Sequence, residues 1–488
     1  MDSESSHRGQ VPNSLAIEKI RGLYEQRTVS PIDVVRSVYS RISTYHDKAV
    51  WITLVPEDEA RSRAEELSQK YPDPLKRPPL FGIPFSVKDS IDIAGMLTTL
   101  ACPSYAYTAT ATAPVVQRIL DAGGILIGKT NLDQFATGLN GTRSPYGIPR
   151  CVHDPDYISG GSSSGSVVSV AANLVSFTVA TDTAGSTRVP AALNGMVGLK
   201  PTLGTISTVG LVPACKTADC ITIIAPTVDS TMAALNVMQA YDEDDVYARD
   251  PQQLALLASQ PAWQWPAAAS PLRYGLPPQD LLDSCLSPSY AHLFTRFLAA
   301  LPSLNATPAS HSPFTYAPFA AANAMLYGSS IVSQRIVAFK DYLATLGLSQ
   351  LHPVIKTIFE ASSGFDAVQA YEDIFALAGH RRLARKQFRG LTSSDDGGGI
   401  DVLILPSTAL HPTVAELQAD PIELNKRLGS FTHFVNLLDL CAVSVPVGGA
   451  SWESVNGRDM PFGVTLVALP GREREMLEVG RGIMALRV

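Results

Sequence analysis

Residues 160–188 begin Gly160-Gly-Ser162-Ser-Ser-Gly165-Ser166 and end Thr181-Asp-Thr-Ala-Gly185-Ser186-Thr-Arg188. Between them, residues 167–172 have the spacing of a helix and residues 175–180 the apolar continuity of a buried strand. Each glycine- and serine-rich segment is therefore a loop that follows extended chain and leads into a helix. Such a loop turns backbone N–H groups toward a concavity, where they can hold a negative charge. Working outward, residues 83–87 and 125–127 read as further strands, and residues 113–122 and 187–194 as helices. The alternation predicts an α/β fold, a central mixed β-sheet covered by α-helices on both sides.

The flanks extend this plan. Residues 1–12 read as a flexible tail, followed by helices over 14–25, 31–45 and 57–69. The second of these starts Val29-Ser30-Pro31, a serine cap with proline at the first helical position. Pro72, Pro74, Pro78 and Pro79 mark an exposed connector. Residues 245–320 are rich in Ala, Pro, Leu and Ser with weak periodicity and read as a variable insert, while 321–390 are strongly helical. Asp395-Asp-Gly-Gly-Gly399 reads as a flexible loop, with strands over 402–405, 442–447 and 462–467 and a closing helix over 472–486. No repeat or long linker interrupts the pattern, so residues 13–488 are expected to form one domain, with a core at 81–229 and a variable region at 240–400.

Composition narrows the function classes. The 488 residues are 45% hydrophobic and 17% charged, with a formal charge of −7. That suits a compact enzyme and leaves no basic footprint for nucleic acid. The short basic cluster Arg381-Arg382-Leu-Ala-Arg385-Lys386 reads as a solvated helix face. Six scattered cysteines without C-x-x-C spacing point to reduced thiols in a cytoplasmic protein. The polar N-terminus lacks the apolar run of a signal peptide, and no stretch suits a membrane span.

A serine hydroxyl is a weak nucleophile until a neighbouring base takes its proton. Ser186 follows Gly185 at a strand-to-helix turn, where it is either a nucleophile or the N-cap of a helix starting at Thr187. Ala184-Gly185-Ser186 has the make-up of an oxyanion hole, since glycine permits close approach of backbone donors. Apart from His153, no histidine stands near either serine loop in sequence. Lys88 ends the apolar run Gly82-Ile-Pro-Phe-Ser-Val-Lys88 and offers another base, because a poorly solvated lysine titrates near neutrality. Its plain alternative is a strand-end lysine paired with Asp89. Ser162 would pass the proton from Ser186 to Lys88, or is merely one serine in a flexible loop.

Two further motifs compete. Gly123-Gly-Ile-Leu-Ile-Gly128-Lys129-Thr130 matches a phosphate-binding loop by letter, but Gly-Ile-Leu-Ile favours a buried strand where that mechanism needs a loop. Gly161-Ser-Ser163-Ser-Gly165 matches a nucleophile elbow, with Ser163 as its serine, yet the residues before it make a poor strand.

Taken together, residues 81–229 resemble the amidase signature family. The resemblance rests on the Gly-Gly-Ser-Ser core, the segment around Ser186, and the 24-residue spacing from Ser162 to Ser186. Within that family the allophanate hydrolase subfamily is matched by Gly128-Lys-Thr-Asn-Leu-Asp-Gln-Phe-Ala-Thr-Gly138, Gly141-Thr-Arg-Ser-Pro-Tyr-Gly147 and Leu424-Asn-Lys-Arg-Leu-Gly429. Ser90, Cys151, Ala180, Thr187 and Lys216 depart from the family's usual residues.

The resemblance implies that Ser186 is the nucleophile, Ser162 a bridging serine behind a cis peptide, and Lys88 the final base. It assigns the oxyanion hole to the amides of Thr183, Ala184, Gly185 and Ser186, and support of that loop to Arg188. Tyr327 and Arg335 would bind a small anionic amide, a guanidinium fork suiting a carboxylate. It implies no cofactor and no metal, a homodimer joined through the N-terminal helices, and a C-terminal domain acting on the product, either separate or missing. The implied activity is hydrolysis of allophanate (urea-1-carboxylate) with release of ammonia in urea degradation. The alternatives are a different small aliphatic or aryl amide, or a catalytically quiet binding protein.

Overall fold

Short apolar runs bounded by glycine and proline pair into one large sheet. The computed structural model describes residues 11–258, 271–309, 314–388 and 399–488. Residues 1–10 of the expected tail and all but Gly399 of the expected loop 395–399 lie outside the described residues. Eleven strands build the sheet: β1 (Trp51–Leu54), β2 (Pro84–Lys88), β3 (Ile125–Thr130), β4 (Phe177–Thr181), β5 (Val197–Lys200), β6 (Ile221–Ala225), β7 (Leu272–Gly275), β8 (Ala306–Pro308), β9 (Val402–Pro406), β10 (Cys441–Glu453) and β11 (Asp459–Ala468). They lie in the order β1-β3-β2-β4-β6-β5-β10-β11-β9-β7-β8. β2 runs parallel to both β3 and β4, and β4, β6, β5, β10 and β11 then pair antiparallel in turn. The fold is the expected mixed α/β class, with helices flanking the sheet.

The helices used below are α1 (Ile17–Glu25), α2 (Pro31–Thr44), α3 (Ser164–Ala171), α4 (Arg188–Leu193), α5 (Ala317–Gly328) and α6 (Gln334–Ala338). α2 starts as its sequence dictates: the Ser30 side chain accepts the Asp33 N–H while the Asp33 carboxylate takes the Ser30 N–H, with Pro31 leading the helix. α1 and α2 turn Ile20, Tyr24, Val34 and Val38 into the core. The parallel strands β2 and β4 are buried along their whole length, and Phe85 stacks on Phe177 between them at 5.6 Å.

Two segments differ from expectation. The strand expected over 125–127 continues to Thr130, because Gly128 lets the chain lie against β1; a Cβ there would come within 2.5 Å of the Thr53 carbonyl oxygen. Most of the phosphate-loop match is thus strand, and its lysine, Lys129, is sealed in an ion pair with Asp89 at 3.0 Å. The weakly periodic stretch 245–320 supplies β7 and β8, which extend the sheet by parallel pairing beside β9. Strands of three and four residues carry too little alternation to be read from sequence.

The parallel trio positions the site. Lys88 closes β2 opposite Thr130 at the end of β3, and Thr181 closes the neighbouring β4. The carboxyl ends of parallel strands are where open α/β sheets bind ligands. Among the described residues, no helix is long and apolar enough to cross a membrane.

Candidate active site

At the end of β2 the Lys88 ammonium meets three hydroxyls and, among the described residues, no carboxylate. Its Nζ donates to Ser162 Oγ at 2.8 Å, Ser163 Oγ at 2.9 Å and Thr181 Oγ1 at 2.9 Å, and the side chain is 0% exposed. Burial lowers its pKa from 10.5 to about 7, against the upward pull of Asp133, Asp182 and Asp219. Asp89, next in sequence, is not its partner. That carboxylate pairs with Lys129 and accepts the Thr99 N–H and hydroxyl at 2.8 and 2.6 Å. A lysine near half-protonation at neutral pH, held against serine hydroxyls, can take a proton from one of them.

The Gly160–Ser166 loop brings those hydroxyls in. Its Gly161–Ser162 peptide bond is cis. The Ser162 carbonyl accepts the Asp133 N–H at 3.1 Å, and the Asp133 carboxylate in turn takes the amides of Gly141 and Arg143, both at 3.0 Å. A side chain on Gly161 would run into that carboxylate, so glycine is needed for the close approach. Ser163, the serine of the elbow match, stands at the first position before α3, with no side-chain capping bond, rather than ending a strand. Its hydroxyl accepts from Lys88, donates to Thr181 O at 3.3 Å and is sealed from solvent.

Ser186 sits on the facing loop. Its carbonyl accepts the Ser163 N–H at 3.3 Å, which ties the two serine loops together. Helix α4 starts at Arg188 with Thr187 at the cap position, so Ser186 is not the helix cap. Among the described residues its hydroxyl makes no hydrogen bond.

Asp182 organises this turn. Burial alone would raise its pKa, but the Arg188 guanidinium and the Gly185 N–H hold it below the usual carboxylate value. Arg188 grips both carboxylate oxygens, at 2.9 Å to Oδ2 and 2.8 Å to Oδ1, and also donates to Thr432 O and Asn436 Oδ1. Gly185 has a φ of +118° and donates its N–H to Asp182 Oδ1 at 2.7 Å. The N–H groups of Thr183, Ala184 and Ser186 meet no acceptor among the described residues. Thr183 is anchored instead by its side chain, whose hydroxyl donates to Asp219 Oδ1 at 2.5 Å.

Tyr327 and Arg335 lie side by side. Tyr327 lies on α5 and Arg335 on α6, with the guanidinium carbon 5.9 Å from the centre of the Tyr327 ring. Arg335 is only 2% exposed, so it is no surface arginine; it donates to Thr137 Oγ1 at 2.5 Å and has no carboxylate partner among the described residues. Neither residue hydrogen-bonds Ser162 or Ser186. Their link to the serine loops is apolar: Tyr327 packs on a cluster that contains Ala184, Cys215 and Leu437. Tyr327 also lines a cavity of about 370 Å³ with Arg143, Asn425 and His433.

Several residues of this arrangement escaped sequence reading. Asp182 was within reach, six residues before the arginine it pairs with. Thr432 and Asn436 were not: Asn436 donates to Asp182 O at 2.6 Å and Ala218 O at 2.8 Å from more than 200 residues away. Among the described residues, no histidine bonds to Ser162, Ser163 or Ser186. No three His, Cys, Asp or Glu side chains there are placed to hold a metal ion.

Known proteins resemble this chain along most of its length. A family model described as Amidase matches residues 33–477. The urea amidolyase of Lachancea kluyveri is 36% identical over 433 residues, 88% of this chain but 22% of that protein. A solved Kluyveromyces lactis allophanate hydrolase superposes with a TM-score of 0.80 at 31% identity, over 98% of this chain and 76% of that one. The K. lactis urea amidolyase structure gives 0.81 at 31% identity, over 97% of this chain and 28% of that one. The chain thus spans under a quarter of the length of the curated relative. This chain belongs to the amidase signature family and is an amidohydrolase.

Proposed function

We propose that the chain hydrolyses a small anionic amide, allophanate first among the candidates, with Ser186 as nucleophile, Ser162 as proton relay and Lys88 as base. The observation that carries the reading is the fully buried contact of 2.8 Å between Lys88 Nζ and Ser162 Oγ. Neutral Lys88 accepts the Ser162 proton while Ser162 takes the proton of Ser186, whose oxygen bonds to the amide carbon. The oxyanion is met by the free N–H groups of Thr183, Ala184 and Ser186. Gly185 keeps its own N–H on Asp182 and holds the turn open. As the C–N bond breaks, the proton returns from Lys88 through Ser162 to the nitrogen, and ammonia leaves. Water, deprotonated by the same relay, then attacks the acyl-enzyme and frees Ser186. Oxyanion donors of this kind contribute about 2.7–4 kcal/mol each.

Arg335 supplies the charge that favours an anion, since its buried guanidinium has no carboxylate partner among the described residues. The anionic substrate also agrees with the relatives that bear the name allophanate hydrolase. The test is ammonia release from allophanate by the purified chain, with Ser186→Ala as control and a panel of neutral amides alongside. Release that is abolished in Ser186→Ala supports the proposal.

One observation favours a second reading, a larger amide. The cavity that Tyr327 shares, lined by none of Lys88, Ser162, Ser186 and Arg335, is walled mainly by apolar side chains, Val332, Val354, Ile358 and Phe365 among them, and far exceeds so small an anion. An amide with an apolar substituent would fill it. Turnover of such amides without turnover of allophanate would select this reading.

A further inference from the structure

A second cavity, of about 380 Å³, is lined by none of the residues placed in the active site. Its volume falls in the range of small-molecule sites. Aromatic rings build one wall. Trp452 of β10 meets Tyr157 at 5.6 Å, His411 at 6.0 Å and Tyr290 at 6.3 Å between ring centres. Tyr157 and Tyr290 are buried and back the wall, while the indole they hold is only half-buried. An indole fixed in this way is a platform on which a flat ring can stack.

Two polar side chains that line the same cavity keep hydrogen-bonding capacity in reserve. His411 is 6% exposed, and its Nε2 lies 2.8 Å from Ile158 O. A carbonyl only accepts, so Nε2 carries the proton and Nδ1 is left as an acceptor. Burial lowers the pKa of this ring to about 4, which keeps it neutral. Nδ1 has no partner among the described residues, and a buried acceptor left unmet costs free energy that a ligand N–H would recover. Arg427 spends Nη2 on Cys285 O at 3.1 Å and meets no carboxylate among the described residues, so further N–H donors remain for a ligand oxygen. The carboxylate in the lining, Glu416, is committed to the Thr413 N–H and hydroxyl at 2.8 and 2.9 Å.

A flat ring that presents an N–H beside a carbonyl meets all three groups. We infer that this cavity is a second binding site, for a cyclic imide or lactam with the chemistry of a uracil- or xanthine-like base. The ring lies on Trp452, its N–H donates to His411 Nδ1, and the adjoining carbonyl accepts from Arg427. The site is built onto the chain that carries the first serine loop. His411 holds Ile158 O, and the Ile158 N–H donates to Pro412 O at 3.3 Å, four residues before Ser162.

The test is calorimetric titration of the full chain with uracil, and with N,N′-dimethyluracil as the same ring without an N–H. Uracil is expected to bind with a millimolar dissociation constant or tighter, and the dimethyl compound about tenfold more weakly or less. Trp452→Ala and Arg427→Gln should each weaken uracil about tenfold or more, with circular dichroism confirming that each variant is folded. Ser186→Ala should bind uracil as the wild type does, so the result stands apart from the reaction proposed above. Absence of uracil binding at millimolar concentration overturns the inference. So does binding that is indifferent to both Trp452→Ala and Arg427→Gln. Equal affinity for the dimethyl compound overturns the role of His411, and binding lost in Ser186→Ala would place uracil at the serine loops instead.

Discussion

Lys88 Nζ lies 2.8 Å from Ser162 Oγ, and solvent reaches neither side chain. A base sealed in this way cannot exchange its proton with bulk water except through the hydroxyls that touch it. Its protonation state is therefore tied to the serine loops, and the pH dependence of the enzyme should report it.

With Lys88 at about 7, kcat/KM should rise with pH along a limb centred near 7 and level off above it. The sign follows from the base needing to be neutral. The same shift bears on stability: between about 7 and 10.5 the unfolded chain holds the proton that the folded chain has lost, so this lysine makes stability rise with pH across that window. Lys88→Met should remove the limb and lower kcat/KM by about 10²–10⁴-fold. A limb that survives in Lys88→Met would assign it to another group.

The neighbouring serines should separate. Ser162→Ala interrupts the relay and should cost about 10²-fold or more in kcat. Ser163→Ala removes one of three hydroxyls on Lys88 and one bond to Thr181 O, a loss of about 1 kcal/mol that leaves activity within about tenfold. Steady-state kinetics on both variants with one amide substrate checks the order, which the elbow reading would reverse.

Asp182 and Arg188 are both fully buried, so removing one partner strands the other's charge. Asp182→Ala should destabilise the fold by about 3–5 kcal/mol in denaturant unfolding. It also frees the Gly185 and Thr187 amides and so disorders the turn that presents Ser186. Activity should therefore be lost even under conditions where the variant remains folded.

Gly185→Ala tests the turn from the other side. The residue sits at φ +118°, and a Cβ would come within 2.6 Å of Thr432 Oγ1 and 2.7 Å of Thr432 Cβ. Backbone strain alone should cost about 1–3 kcal/mol. Because the strain falls beside Ser186, kcat should drop with little change in KM.

Much of this site was legible because its pieces are local. The two serine loops and the lysine lie within about a hundred residues, each at a junction where strand gives way to loop, and such junctions are marked by glycine and serine. Ser30-Pro31 fixed the start of α2 for the same reason. The parts that hold the turn rigid come from afar: Asn436 and Thr432 sit on an ordinary short helix and the loop before it, and nothing in their neighbourhood announces a bond to Asp182 or Arg188. Asp133 was equally silent, a carboxylate whose partners are backbone amides. β7 and β8 were missed because their order comes from pairing beside β9 more than a hundred residues downstream of β7.

The identity of the nucleophile can be read from one covalent adduct. The purified chain would be treated with a serine-directed fluorophosphonate and the modified peptide located by mass spectrometry, at pH values either side of 7. Modification of Ser186, faster above pH 7 than below and lost in Lys88→Met, is the predicted result. An adduct on Ser163, or labelling of Ser186 that is indifferent to Lys88, would contradict the relay.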